Sequence, residues 1–188
     1  MRTNFFIFKS LGLFFFFCTA SCFPQQTSKQ PVYSAKELSA FRQNFWNSLP
    51  EPTGWVNDYD SIFTAKEKKS LDSVIGKFKS ETGFEIAVVT LDTLHTVIER
   101  FDSLIIHIAE VWGVGEQGKM NGTTIGICKG YRKFRIRTGE DVKNLMPDEQ
   151  CTLIMNNYFF PEFKKGNYFK GTFNGLVEMV RYLREKIK

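Results

Sequence analysis

Apolar and polar positions alternate in two registers along this chain, and the switches between them predict its elements. Between Ser34 and Leu49 the residues Leu38, Phe41 and Phe45 share one helical face, and Ser34 with Glu37 has the spacing of a capping box. Pro50 and Pro52 end that helix. Gly54 to Phe63 carries neither period and reads as extended or irregular. A second helix is expected over 64–79. Thr64 and Glu67 form another capping box, Leu71, Val74, Ile75 and Phe78 make the inward stripe, and Gly83 marks the stop. FEIAVVT at 84–90 has the uninterrupted apolar run of a strand buried on both faces. Thr96 to Trp112 returns to helical spacing, with Phe101, Leu104, Ile105 and Ile108 inward.

A loop rich in glycine follows, and Thr123 to Lys129 then reads as another buried strand. Gly130 to Arg132 is a turn, and KFRIRT at 133–138 alternates as a half-buried partner strand. Pro147 opens a helix running to about Phe160, with Asp148 and Glu149 in a first turn that favours negative charge. Phe163 to Tyr168 is read as a loop, and Gly171 to Ile187 as a final amphipathic helix. The order places helices on both sides of the strands. The expected fold is therefore α/β, a three-layer α/β/α sandwich with a small mixed sheet, since the close pairing of the last two strands makes them antiparallel.

The first residues follow a different logic. Arg2 and Lys9 precede the short apolar run Leu11 to Phe17, and the small residues Thr19, Ala20 and Ser21 lead to Cys22. This is a secretory signal layout, with an apolar region too short to span a bilayer. TASC resembles a bacterial lipobox in which Cys22 becomes the lipidated first residue, although Thr19 stands where an apolar residue is usual. An ordinary cleaved leader with an incidental cysteine is the alternative. The expected organisation is a leader at 1–21, a polar tether at 22–33, an N-terminal helical extension at 34–53 and a main domain at 54–188. It points to an exported, membrane-anchored protein of the cell envelope. The extension would pack on the domain or lie near the membrane.

The net charge of +5 falls by two when Arg2 and Lys9 leave with the leader. The remaining basic residues are interleaved with acids, which argues against nucleic acid as a partner. Cys128 and Cys151 remain in the domain, as one disulfide or as two buried thiols; in a strand such as TTIGICK a core thiol is the commoner finding.

The loop WGVGEQGKMNG, from Trp112 to Gly122, holds four glycines in eleven residues: Gly113, Gly115, Gly118 and Gly122. Such density permits positive φ and close backbone approach, and suggests a ligand cradle. The loop lacks the G-K-[ST] ending of a phosphate-binding P-loop. Four segments together resemble a TPM domain: V-N-D-Y at 56–59 with Thr64, the loop with Asn121-Gly122, RKFRIRTG at 132–139, and the stretch Tyr158 to Tyr168 with Pro161, Phe163 and Gly166. They cover roughly residues 54 to 184. The resemblance implies an α/β/α sandwich, in some members a calcium or similar divalent ion in an acidic cleft beside the glycine loop, and in some a modest acid phosphatase activity. It also implies envelope or membrane proteins as partners, reached from a lipid-anchored position.

By that resemblance Asp58, Asn121 and Asp148 are the candidate metal ligands, with Asp58 and Asp148 converging near the loop; Asp60, Glu140 and Asp141 are further oxygen donors. The chain departs from the family pattern at Met120, where an acid is frequent, and at Lys143, which replaces another. Both changes weaken a cation site through charge. Asp148 would also serve simply as a first-turn helix residue, and Asp58 could do no more than fix its own turn. His95 and His107 have no recognisable nucleophile beside them in sequence. Binding through a degenerate divalent-cation site is thus the leading expectation, and a metal-dependent acid phosphatase the alternative.

Overall fold

A computed structural model describes residues 33–115 and 119–187. The leader, Cys22 and the tether up to residue 32 lie outside the described residues, as does Gly118.

Four strands form one mixed sheet in the order β1 (Val56–Asp58), β2 (Glu85–Thr90), β3 (Gly122–Cys128) and β4 (Lys133–Thr138). The first three are parallel and β4 runs antiparallel to β3. The buried strands point alternate residues to opposite faces. Ile86 and Val88 of β2 and Ile125 and Ile127 of β3 meet helices α2 (Ala65–Thr82) and α7 (Tyr168–Lys186) in one apolar cluster. Val89 and Cys128 face the other way, toward α3 (Phe101–Val111) and the N-terminal helix α1 (Ala35–Asn47). The molecule is the three-layer α/β/α sandwich with a small mixed sheet. Cys128 and Cys151 belong to clusters on opposite faces of the sheet, so both are buried free thiols.

Both capping boxes form. Ser34 and Thr64 each accept the backbone N–H three residues on, and Glu37 and Glu67 reach back to the capping residues. Gly83 takes φ +76° as the left-handed stop after α2.

The structure departs from the sequence expectation in five places. Val56–Asp58 is a strand, too short to show a period yet fully registered on Val88 to Thr90. The helix expected from Thr96 begins only with a 3-10 turn at Ile98–Arg100, because Asp92 draws the N–H groups of Leu94 and His95 into an Asx turn that competes with helix. A short helix α4 (Glu140–Leu145) follows β4 where no element was expected. The helix opened by Pro147 changes pitch: α5 (Asp148–Ile154) passes through a π turn at Met155–Phe159 into α6 (Phe160–Phe163).

Helix α7 also starts at Tyr168, three residues before the expected Gly171. Gly171 and Gly175 lie inside it because Phe159 and Phe163 press against them; a Cβ at Gly175 would sit 1.9 Å from the Phe159 ring. The N-terminal helix packs on the domain. Phe45 is buried, and the Trp46 ring stacks on His107 at 4.2 Å while Arg100 covers it at 4.8 Å. Among the described residues no helix is long and apolar enough to cross a membrane.

Candidate functional site

The sheet has two edges of different character. The amino ends of β2 and β3 meet the glycine loop. Gly113 and Gly115 adopt φ +62° and +120°, which L side chains rarely take. Gly122 lets the Val114 carbonyl approach so closely that a Cβ would stand 1.9 Å from it. The Gly115 N–H donates to Glu85 Oε2 at 2.7 Å, and Lys79 holds the other oxygen of the same carboxylate. Asn121 is buried and donates to the Gly83 carbonyl at 3.1 Å. Trp112 donates to the Pro50 carbonyl at 3.0 Å, tying the loop to the segment after α1. These glycines are used to close backbone on backbone, and the cavity beside them is small, about 220 Å³.

The carboxyl ends of β1, β2 and β3 carry another set of charged groups. Asp58 ends β1, and its carboxylate accepts Ile62 N–H at 3.1 Å, Phe63 N–H at 2.9 Å and the Thr90 hydroxyl. It therefore shapes the turn that feeds the α2 cap, which Ser61 passes with φ +52°. Asp60 sits beyond it with Oδ2 buried and without a hydrogen-bond partner. Burial raises the Asp60 carboxyl above the ordinary carboxylate value; the Lys129 amide pulls it back and the Asp92 charge raises it further. Asp92 at the end of β2 accepts from His95 Nδ1 at 2.6 Å, and Phe41, Phe45 and Tyr59 surround the His95 ring.

β2 is six residues long, and at about 3.3 Å per residue it holds the Asp58 and Asn121 ends of the sheet roughly 15–20 Å apart. One ion cannot take ligands from both. Asp148 is exposed at the start of α5, 3.8 Å from Lys143 Nζ. The expected convergence of Asp58 and Asp148 on the glycine loop is corrected by the register: β1 runs parallel to β2, so its carboxyl end points away from that loop. Among the described residues no three His, Cys, Asp or Glu side chains gather closely enough to hold a metal ion. The residues named for a divalent cation do not fit one as a set.

The turns after β3 and before α7 border a groove of about 860 Å³, with the half-buried rings of Phe134, Phe160, Phe163 and Tyr168 along it. It adjoins a second groove of about 400 Å³ through Lys129, Gly166 and Tyr168. Burial raises the Tyr168 phenol above its ordinary value, while Arg132 draws it back. Glu162 anchors this wall from beneath. It accepts from Lys165 Nζ at 2.9 Å and Asn167 Nδ2 at 3.1 Å, and it pairs with Lys170 at 3.5 Å. Those contacts hold its carboxyl down at about 2.

Neither histidine faces a nucleophile. The His107 ring is engaged by the Trp46 carbonyl at 2.8 Å, and no Ser, Thr or Cys among the described residues hydrogen-bonds to either imidazole. Burial pushes the Cys128 thiol up, away from thiolate chemistry. Sequence reasoning missed Asp92, Lys129 and Glu162. The usable signal was positional: in parallel sheets ligands bind beyond the carboxyl ends of strands, and that rule applies only once β1 is known to be a strand.

The sequence profile of the TPM domain matches residues 56–182. The chain belongs to the TPM-domain family. The match leaves α1 outside its bounds. Among solved structures, the chain is similar to the N-terminal domain of a protein from P. gingivalis (22% identity, 84% of this chain and 96% of that one, TM-score 0.64). It is also similar to the BA42 protein from the psychrophilic bacterium Bizionia argentinensis (21% identity, 66% and 83% covered, TM-score 0.56). A third similar structure is the N-terminal domain of the cg2496 protein from Corynebacterium glutamicum (16% identity, 74% and 84% covered, TM-score 0.52). At these identities the likeness concerns the fold. No curated protein matches the chain.

Proposed function

We propose that this protein is a lipid-anchored factor of the cell envelope whose TPM domain works by binding, as an assembly or maintenance factor for envelope or membrane proteins. The observation that carries the reading is the groove at the carboxyl edge. It has a floor of half-buried rings, cations at its rim, and no nucleophile paired with a base. Exposed ring faces in a groove suit recognition, whereas acyl or phosphoryl transfer needs an activated attacking group. The anchor rests on the leader and Cys22 of the sequence. A divalent cation is at most a weak ligand, because Asp58 spends its oxygens on its own turn and Asp148 faces Lys143.

The test has two arms. Cells fed labelled palmitate are expected to label the protein, and Cys22→Ser to abolish labelling; an unlabelled wild type would remove the anchor. Purified protein is expected to leave p-nitrophenyl phosphate intact with or without calcium or magnesium. The second reading, a phosphatase, is favoured by one observation, the partnerless buried oxygen of Asp60 beside Asp58 and Asp92. Hydrolysis that Asp60→Asn abolishes and Asp148→Ala leaves intact would establish that reading in place of binding.

A further inference from the structure

The charges around the carboxyl-edge groove are one-sided. Lys129, Arg132 and Lys133 border it from the β3–β4 turn, and Lys164 borders it from the end of α6. No acidic residue lines it. The neighbouring Lys165 and Lys170 are both taken by Glu162, but none of the four groove cations joins an ion pair among the described residues. Asp60 lies outside the lining, and its field reaches Lys129 and the Tyr168 phenol. In the adjoining groove the acid is Glu67, whose carboxylate is spent on the Thr64 cap.

The same groove holds the ring cluster. Phe134 stands edge-on to Phe160 and Phe163 at 5.6 Å, Phe163 stacks on Tyr168 at 5.0 Å, and Lys129 Nζ lies 5.9 Å from the Tyr168 ring centroid. A further ring entering this cluster would find edges and faces already set for T-shaped or offset contacts. Cations contributed by two separate elements suit negative charge on both sides of that ring. The groove lies near the upper size of small-molecule cavities and continues into the second one. That extent favours an extended chain over a compact anion.

We infer that the groove takes an acidic peptide segment carrying an aromatic side chain, the ring on the phenylalanine floor and the flanking carboxylates against Lys129, Arg132, Lys133 and Lys164. The inference rests on the binding reading above and adds the chemistry of the partner.

The full chain in detergent micelles is titrated with fluorescein-labelled Glu-Glu-Phe-Glu-Glu and followed by anisotropy. Glu-Glu-Ala-Glu-Glu and Lys-Lys-Phe-Lys-Lys serve as comparators. The ring-bearing acidic peptide is expected to bind most tightly and to weaken as salt is added. The double variant Arg132→Glu/Lys164→Glu, which alters two exposed side chains, is expected to weaken it by about tenfold or more. Equal binding of the three peptides, or an unchanged affinity in the double variant, overturns the inference. So does displacement by inorganic phosphate or by phosphatidylglycerol vesicles at concentrations where unlabelled peptide does not compete. Such a failure with palmitate labelling intact and no hydrolysis removes the ligand class alone; hydrolysis of the phosphomonoester removes the binding reading itself.

Discussion

Asp58 and Asp60 stand two residues apart and do opposite things to the fold. Asp58 is an acceptor for three donors, so Asp58→Ala strands the Ile62 and Phe63 amides and the Thr90 hydroxyl; leaving such donors unmet costs roughly 1–3 kcal/mol. Asp60 keeps one oxygen buried with no partner, and its carboxyl is raised by burial and by Asp92. A raised carboxyl means the folded state opposes ionisation, so the cost to stability is full above the folded value, shrinks as pH falls through it, and is gone below the lower, unfolded value. Asp60→Asn is therefore expected to stabilise the protein at neutral pH, by less than about 1 kcal/mol given solvent screening of a half-exposed group. Urea midpoints at pH 7 check both: Asp58→Ala moves down and Asp60→Asn moves up. If both moved down, the buried Oδ2 of Asp60 would be stabilised in the folded state after all. The same result governs the reading of any activity loss, because Asp58→Ala can abolish function by loosening its turn.

At the scale of elements, long periodic segments were legible and short ones were not. Both capping boxes announced their helices because the cap is a local chemical pattern. β1 and α4 were not legible, because three residues and six residues carry too few repeats to show a period. The π turn at Met155–Phe159 left no mark because it is set by tertiary contact: Phe159 reaches under α7, and the extra residue in the turn brings Phe160 and Phe163 to the groove. The candidate site suffered from the same gap. The glycines of Trp112 to Gly122 were readable as glycines, but whether they cradle a ligand or admit the Val114 carbonyl depends on which end of the sheet they meet. The glycines of α7 show how strict such contacts are. Gly175→Ala would drive a methyl into the Phe159 ring, and overpacking of this kind costs about 1–3 kcal/mol or more. A lower thermal midpoint is expected, with loss of amide-exchange protection concentrated in α7 and the π turn. Unchanged protection there would mean the ring moves aside freely.

For the molecule as a whole, the parallel strands divide structural from chemical work. Their amino edge is sealed by backbone contacts at Gly115, Gly122 and Gly139, and their carboxyl edge holds the charged turns and the ring-lined groove. The groove's outer wall includes residues 164–167, irregular chain between two helices, and Glu162 ties it down through Lys165 and Asn167 and to α7 through Lys170. That tie exists only while Glu162 is ionised. Its folded carboxyl lies at about 2, held down first by the Lys165 hydrogen bond, then by Asn167. An unfolded glutamate titrates near 4.5. The folded value is the lower one, so the stabilisation is fully present above about pH 4.5 and is lost progressively as pH falls toward 2. Glu162→Gln removes the charge at every pH. The variant is expected to be less stable than wild type at pH 7 and to converge on it as the medium is acidified, so that the difference in urea midpoint shrinks across that window. A difference that stays constant from pH 7 to pH 2 would show that the wall is held by packing of Phe163 on Tyr168 and Gly171, with the Glu162 charge incidental to it.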